Sequence, residues 1–117
     1  MKVYTYKNCG TCRKAVQWLK KQNISFEEIP IREQPPTKAE LRQMLDLQGG
    51  NLRKLFNTSG QDYKALGMKD KLPGLSAEAA LEMLSQNGNL VKRPFLLTDQ
   101  NGVVGFDEEE WKRLLKL

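Results

Sequence analysis

Apolar and polar positions along the chain fall into three successive patterns. Val3-Tyr4-Thr5-Tyr6 is a short run of β-forming residues closed by Lys7-Asn8, which predicts a first strand running into a turn. From Thr11 onward, Cys12, Ala15, Val16 and Leu19 recur at intervals of three and four, one apolar stripe on a helix that ends near Lys21 to Asn23. Ile24 to Ile29 reads as a second strand closed by Pro30. A strand, helix, strand order over so short a stretch predicts a right-handed parallel crossover.

The second pattern is helical. Gln34-Pro35-Pro36 interrupts the chain, and Thr37-Lys38-Ala39-Glu40 has the capping-box form before Leu41, Met44 and Leu45. Gly49-Gly50 ends that helix. Leu52 to Leu72 reads as short helical pieces broken by Asn57-Thr58-Ser59-Gly60 and by Gly67. After Pro73-Gly74, Ser76 caps a helix with Ala77, Ala80, Leu81 and Leu84 on one face, and Asn87-Gly88 stops it. No strand signal occurs from Ile31 to Asn89.

Strand signals return at Phe95 to Thr98 and at Val103 to Phe106, joined by Asp99-Gln100-Asn101-Gly102, in which Asn-Gly predicts a tight antiparallel hairpin. Asp107 caps a last helix with Glu110 completing a capping box. Trp111, Leu114 and Leu115 share its apolar face, and Lys112, Arg113 and Lys116 sit at its cationic end. The order is βαβ, a helical insert at about 31–90, then ββα, which predicts an α/β fold on a four-stranded mixed sheet. With no repeat, low-complexity tract or long linker, residues 1–117 read as a single domain.

Composition narrows the chemistry. The chain of 117 residues is long enough for one domain core and contains no histidine, which excludes a Ser-His-Asp triad, a histidine general base and zinc sites built on imidazole. Lys and Arg number 19 against 14 acids, a net charge of +5 that mildly favours anionic partners. No basic patch with interleaved aromatics or recognition-helix pattern predicts direct nucleic-acid binding. The first residues lack a signal peptide's apolar region, and no apolar run approaches the roughly 20 residues of a membrane span. A soluble, cytoplasmic monomer is expected, so the sequons at Asn23 and Asn57 are not read as glycosylation sites.

The chemistry concentrates at Cys9-Gly10-Thr11-Cys12, a C-x-x-C where the first strand turns into the first helix. Free backbone amides and the positive end of the helix dipole stabilise a thiolate on Cys9, which makes it the nucleophile. Lys7 and Arg13 add positive charge nearby. Cys12, on the apolar stripe, is suited to resolving a sulfenate or mixed disulfide on Cys9. Two thiolates supply only half of a tetrahedral zinc site and no second pair exists, so no metal is expected.

Taken together, Cys9-Gly10-Thr11-Cys12-Arg13-Lys14, Gln34-Pro35-Pro36, Phe56-Asn57-Thr58-Ser59-Gly60 with Tyr63 and Leu66, and Lys92-Arg93-Pro94 resemble the arsenate reductase-like family that also contains the Spx regulators. The resemblance spans essentially the whole chain. It implies a thioredoxin-like fold with a helical insert, a nucleophile at Cys9, and a cis peptide before Pro94 facing the cysteine loop. It also implies that Arg93 lies beside the cysteine, where its planar fork suits an oxyanion or a thiolate.

Glutaredoxin-coupled arsenate reductases carry two further arginines. Here one position is Asn57, and the final hairpin Gly102-Val103-Val104-Gly105-Phe106 has no arginine. Gly10, Thr11, Arg13, Asn57, Thr58, Ser59 and Pro94 are expected to contact substrate, although Asn57 to Gly60 by itself reads as an ordinary turn. The expected activity is thiol-disulfide oxidoreduction by Cys9, Cys12 and Arg93 without a bound cofactor, with glutathione, glutaredoxin or thioredoxin as reductant. The alternatives are an Spx-like redox-sensing regulator that binds the RNA polymerase α subunit and, third, an arsenate reductase.

Overall fold

Period-two alternation in the central strands divides the core into two layers. The computed structural model describes all of residues 1–117. It contains β1 (Lys2–Thr5), β2 (Glu27–Pro30), β3 (Phe95–Leu97) and β4 (Gly102–Val104), in the sheet order β2-β1-β3-β4. β1 runs parallel to β2 and antiparallel to β3, and β3 is antiparallel to β4. Val3, Leu96 and Val103 join one apolar cluster, whereas Tyr4, Ile29, Phe95 and Leu97 join the other. This assignment to opposite faces is what a strand's alternating side chains require.

Helix α1 (Gly10–Lys21) is the crossover between the parallel strands, and α6 (Glu108–Leu114) lies on the same side of the sheet. Ala15, Trp18 and Leu19 of α1 meet Trp111 of α6. The Trp18 and Trp111 rings pack edge to face with centroids 6.2 Å apart. Both indoles are satisfied, Trp18 Nε1 donating to Glu108 and Trp111 Nε1 to the Gly105 carbonyl. Asn23, with φ of 57°, turns the chain out of α1 in the left-handed region that Asn tolerates.

The insert covers the opposite face. It comprises α2 (Lys38–Leu47), a 3₁₀ turn at Leu52–Leu55, α3 (Gln61–Ala65), α4 (Met68–Lys71), a 3₁₀ turn at Leu72–Gly74, α5 (Ala77–Gln86) and a last 3₁₀ turn at Gly88–Leu90. Leu41, Met44 and Leu45 of α2 and Ala80, Leu81 and Leu84 of α5 supply its buried side chains. None of the helices is long and apolar enough to cross a membrane.

Three local expectations are corrected, the first at α6, where Asp107 caps by accepting the Glu110 N–H at 3.1 Å but the Glu110 side chain makes no return bond, so no capping box closes. β2 begins at Glu27 and includes Pro30, while Ile24 and Phe26 pack from the preceding loop onto the α1 side. Pro30 is tolerated because β2 is an edge strand. The Asn101-Gly102 pair is not the hairpin turn: Thr98 to Asn101 form the loop, closed by the Thr98 N–H donating to the Asn101 carbonyl, and Gly102 pairs with Leu97 inside β4. A side chain at Gly102 would meet Met44 and Leu47 of α2, so this glycine serves packing. No strand forms from Ile31 to Asn89, as expected, and the one pairing that reaches into this stretch is an isolated antiparallel bridge from Phe56 to Val91.

Glu40 joins the insert to the sheet. Its carboxylate accepts from Tyr4 Oη at 2.6 Å, from Lys2 Nζ at 3.0 Å and from the Thr37 N–H at 3.0 Å, the last closing the capping box. Burial alone would raise the Glu40 carboxyl, but the bonds from Tyr4, Thr37 and Lys2 outweigh it and hold the carboxyl below its usual range. A depressed carboxyl stabilises the fold above the unfolded value near 4.3 and loses that contribution as pH falls through the folded value. Glu40→Gln is therefore expected to lower unfolding free energy by about 1–2 kcal/mol at neutral pH. Denaturant melts should show the difference from wild type vanishing in acid.

Candidate dithiol site

Strand register decides which side chains meet at the carboxyl end of β1. Continuing the Tyr4–Phe95 pairing sets Pro94 opposite Thr5 and Arg93 opposite Tyr6. On the other edge, the Thr5–Pro30 pairing, with the Ile31 N–H donating to the Thr5 carbonyl at 2.9 Å, brings Arg32 to Tyr6. Both guanidinium groups consequently lie against Tyr6, with Arg32 Cζ 4.9 Å and Arg93 Cζ 5.6 Å from its ring centroid. The Arg93-Pro94 peptide is cis.

The chain then turns into α1. The Cys9 N–H donates to the Tyr6 carbonyl at 3.0 Å, and Arg13 Nη1 donates to the Lys7 carbonyl at 3.0 Å. Cys9 is the N-cap, extended at φ −100° and ψ 112°, and its Sγ accepts the Cys12 N–H at 3.2 Å. Sulfur thus takes the place of the side-chain oxygen that usually caps a helix.

Both cysteines are free thiols, Cys9 partly accessible and Cys12 buried at 1% exposure. Burial, followed by the hydrogen bond to Cys9, pushes the Cys12 thiol up to about 12, against the opposing pull of the Tyr6 main chain and the Arg93 charge. The two sulfurs therefore differ in access, and burial holds Cys12 as the neutral thiol.

Arg93 is half-buried and fixed by main-chain carbonyls, with Nε donating to Val91 at 3.3 Å and Nη2 to Gly88 at 3.3 Å and Asn89 at 2.8 Å. Burial lowers its pKa and the charges of Cys12 and Cys9 act in the opposite direction. The carbonyls stand where they do because Gly88 lies flat on the Ile31–Arg32 backbone: a Cβ there would fall 1.8 Å from the Ile31 oxygen. Arg32 Nη1 in turn donates to Tyr6 Oη at 2.7 Å. Asn8 Nδ2 donates to the same oxygen at 3.1 Å, and these contacts, led by Asn8, lower the Tyr6 phenol.

A cavity of about 370 Å³ opens beside this cluster, lined by Tyr6, Arg32, Asn57, Asp62, Asn89 and Arg93 among others. Of the remaining sequence-predicted residues, Asn57 reaches this cavity, whereas Thr58 lines a separate one of about 460 Å³ with Lys92, Arg53 and Lys54, and Ser59 is exposed. The two neighbours diverge because Phe56 and Asn57 are held to the 90–91 segment, the Asn57 N–H donating to the Leu90 carbonyl at 2.7 Å. Gly10 and Thr11 form the exposed first turn of α1. Arg13 braces the Lys7 loop and is absent from the Arg93 cavity.

Tyr6, Arg32 and Asp62 were not singled out by the sequence reading. A signal existed for the first two, since Tyr6 and Arg32 stand one and two residues beyond adjacent parallel strands, whose carboxyl ends gather binding residues. No three His, Cys, Asp or Glu side chains converge in a metal-holding group.

A βαβ-ββα sheet with a C-x-x-C at the first strand-to-helix junction and a cis-proline at the neighbouring strand defines a thioredoxin-like redox protein. Comparison with known proteins specifies it further. The sequence model of the ArsC family matches residues 4–114, and the chain belongs to that family. It is 43% identical over 109 residues to the uncharacterized protein YusI of Bacillus subtilis, covering 93% of this chain and 92% of that one. It is 32% identical over 108 residues to the global transcriptional regulator Spx of Streptococcus agalactiae, covering 92% of this chain and 77% of the regulator. The crystal structure of a putative ArsC family related protein from Bacteroides fragilis superposes with a TM-score of 0.91 at 41% identity, covering 97% of this chain and 95% of the other.

The inequality of the two thiols predicts selective alkylation. Iodoacetamide at mildly alkaline pH should modify Cys9 in the native protein and spare Cys12 by more than about a hundredfold in rate. Peptide mapping after quenching measures both, and denaturation should equalise them.

Proposed function

We propose that this protein is a cytoplasmic thiol-disulfide oxidoreductase that acts as a monomer without a bound cofactor. The observation that carries the reading is the pairing of an N-cap sulfur, Cys9, with a buried thiol one helical turn behind it. The Cys9 thiolate attacks a disulfide sulfur of the substrate, the substrate S–S bond breaks, and the departing thiolate takes a proton from water. Cys12 then gives up its proton and attacks Cys9 Sγ, releasing the second substrate thiol and leaving a Cys9–Cys12 disulfide. Glutathione, glutaredoxin or thioredoxin returns the two electrons.

Arg93 steadies the thiolate and any anionic group presented with the substrate, and Pro94 shapes the wall opposite the cysteine loop. Arsenate is a poor substrate on this reading. Neither Asn57 nor the hairpin from Gly102 to Phe106 supplies a further guanidinium, and each charge-assisted hydrogen bond lost costs about 1.5–3 kcal/mol. The similarity to Spx favours a second reading: a regulator that uses the same dithiol as a switch and binds the RNA polymerase α subunit.

The test compares reduction of a small glutathionylated disulfide, assayed without glutaredoxin and corrected for the protein-free rate, with reduction of arsenate, for which glutathione and glutaredoxin are supplied. Disulfide turnover is expected in wild type, none in Cys9→Ser, and a trapped mixed disulfide on Cys9 in Cys12→Ser. Arg93→Ala should lose about ten- to a hundredfold, the worth of one charge-assisted bond. Turnover that survives Cys9→Ser, or robust arsenate reduction, overturns the proposal. Inactivity in both assays with oxidation-dependent capture of the polymerase α subunit selects the regulator.

A further inference from the structure

The cavity beside Tyr6 has an unusual charge arrangement. Arg32 and Arg93 flank one aromatic ring, yet neither belongs to any ion pair of the chain, whose salt bridges lie at Glu40, Glu78, Glu82 and Glu109. Arg93 uses Nε and Nη2 on carbonyls and Arg32 uses Nη1 on Tyr6, which leaves Arg93 Nη1 and Arg32 Nη2 without protein acceptors. An anion entering this cavity meets free N–H groups on both side chains.

A negative charge stands in the same cavity. Asp62 Oδ2 accepts from Asn87 Nδ2 at 3.0 Å and from Asn89 Nδ2 at 3.4 Å, while Oδ1 has no partner and no cation pairs with this carboxylate. These fixed charges sit on segments locked together by the close contact of Gly88 with the Ile31–Arg32 backbone. A volume of about 370 Å³ lies within the range of small-molecule sites. A polyanion would be repelled by Asp62, and a neutral ligand would leave three charges uncompensated.

We propose that the cavity formed by Arg32, Arg93 and Asp62 binds the zwitterionic amino-acid head group of a low-molecular-weight disulfide substrate, its carboxylate on the two guanidiniums and its ammonium on Asp62. The inference rests on the dithiol reading and names the substrate class for it. The bound head group remains on the half of the substrate that forms the mixed disulfide with Cys9. It leaves as a free thiol when Cys12 attacks Cys9, the electrons and protons following the course given above. Arg32 and Asp62 thereby determine specificity and take no part in sulfur transfer.

Binding to the full chain carrying Cys9→Ser tests this without turnover. S-methylglutathione, which keeps the zwitterion and cannot exchange, is titrated calorimetrically against its N-acetylated dimethyl ester. The zwitterion should bind more tightly by about tenfold or more, and Arg32→Gln or Asp62→Asn should each reduce that preference about tenfold. Lys54→Gln, which removes a charge at the other cavity, should leave it unchanged. Equal affinity for the two probes, absence of binding, or a preference unaltered in both variants overturns the inference, with circular dichroism and thermal melts confirming that each variant is folded. Failure of the dithiol reading is separate: it shows as absence of disulfide turnover in wild type, whatever the probes do.

Discussion

Strand β1 is hydrogen-bonded along both edges, parallel to β2 and antiparallel to β3, so the segments that meet at its carboxyl end cannot slide without breaking ladder bonds. Those segments carry Tyr6 and the cysteine loop, Ile31 and Arg32, and Arg93 with Pro94. A slip of one residue would also turn Val3 and Tyr4 to the wrong faces of the sheet, exchanging two buried clusters. The packing of the core and the position of the site therefore rest on the same register. Glu40 reinforces it by tying Lys2 and Tyr4 of β1 to the first turn of α2.

On this frame the proposed division of work between the two cysteines follows from how the helix treats them. Cys9 precedes the first turn, where N–H groups have no intrahelical acceptor, and its sulfur receives one of them. Cys12 is one turn further on, sealed from solvent, and its thiol is pushed up to about 12 mainly by burial. A sulfur that is partly accessible and receives an N–H suits attack. A buried thiol beside it reacts only when that attack has brought an electrophilic sulfur to Cys9. In the proposed reaction the capping geometry gives the order of events.

Much of this was legible in the sequence wherever the cause is local. The caps, the stripe through Ala15 and Leu19, and the stop at Asn23 are written in residues a few positions apart: Thr37-Glu40 closes its box and Ser76 and Asp107 cap as their spacing predicts. Gly102 was misread because its small size answers to Met44 and Leu47, distant in sequence, and not to its neighbour Asn101. Thr58 was grouped with Asn57 by adjacency, although the bridge from Phe56 to Val91 sends the two to different cavities. Tyr6, Arg32 and Asp62 gain meaning only when three separate segments are brought together. The Arg93 neighbourhood was legible only through family resemblance, since its fixing carbonyls depend on the approach of Gly88 to Ile31.

The account turns on whether Cys9 and Cys12 form a functional redox couple. Equilibrating the purified protein across a series of dithiothreitol ratios, trapping with acid and counting free thiols by intact mass measures this directly. The expected result is a single two-electron transition between dithiol and intramolecular disulfide, with a midpoint inside the span of dithiol oxidoreductases, about −270 to −120 mV. A midpoint below about −300 mV, characteristic of inert structural disulfides, would contradict the account, as would oxidation only to covalent dimers or to a sulfinate on Cys9.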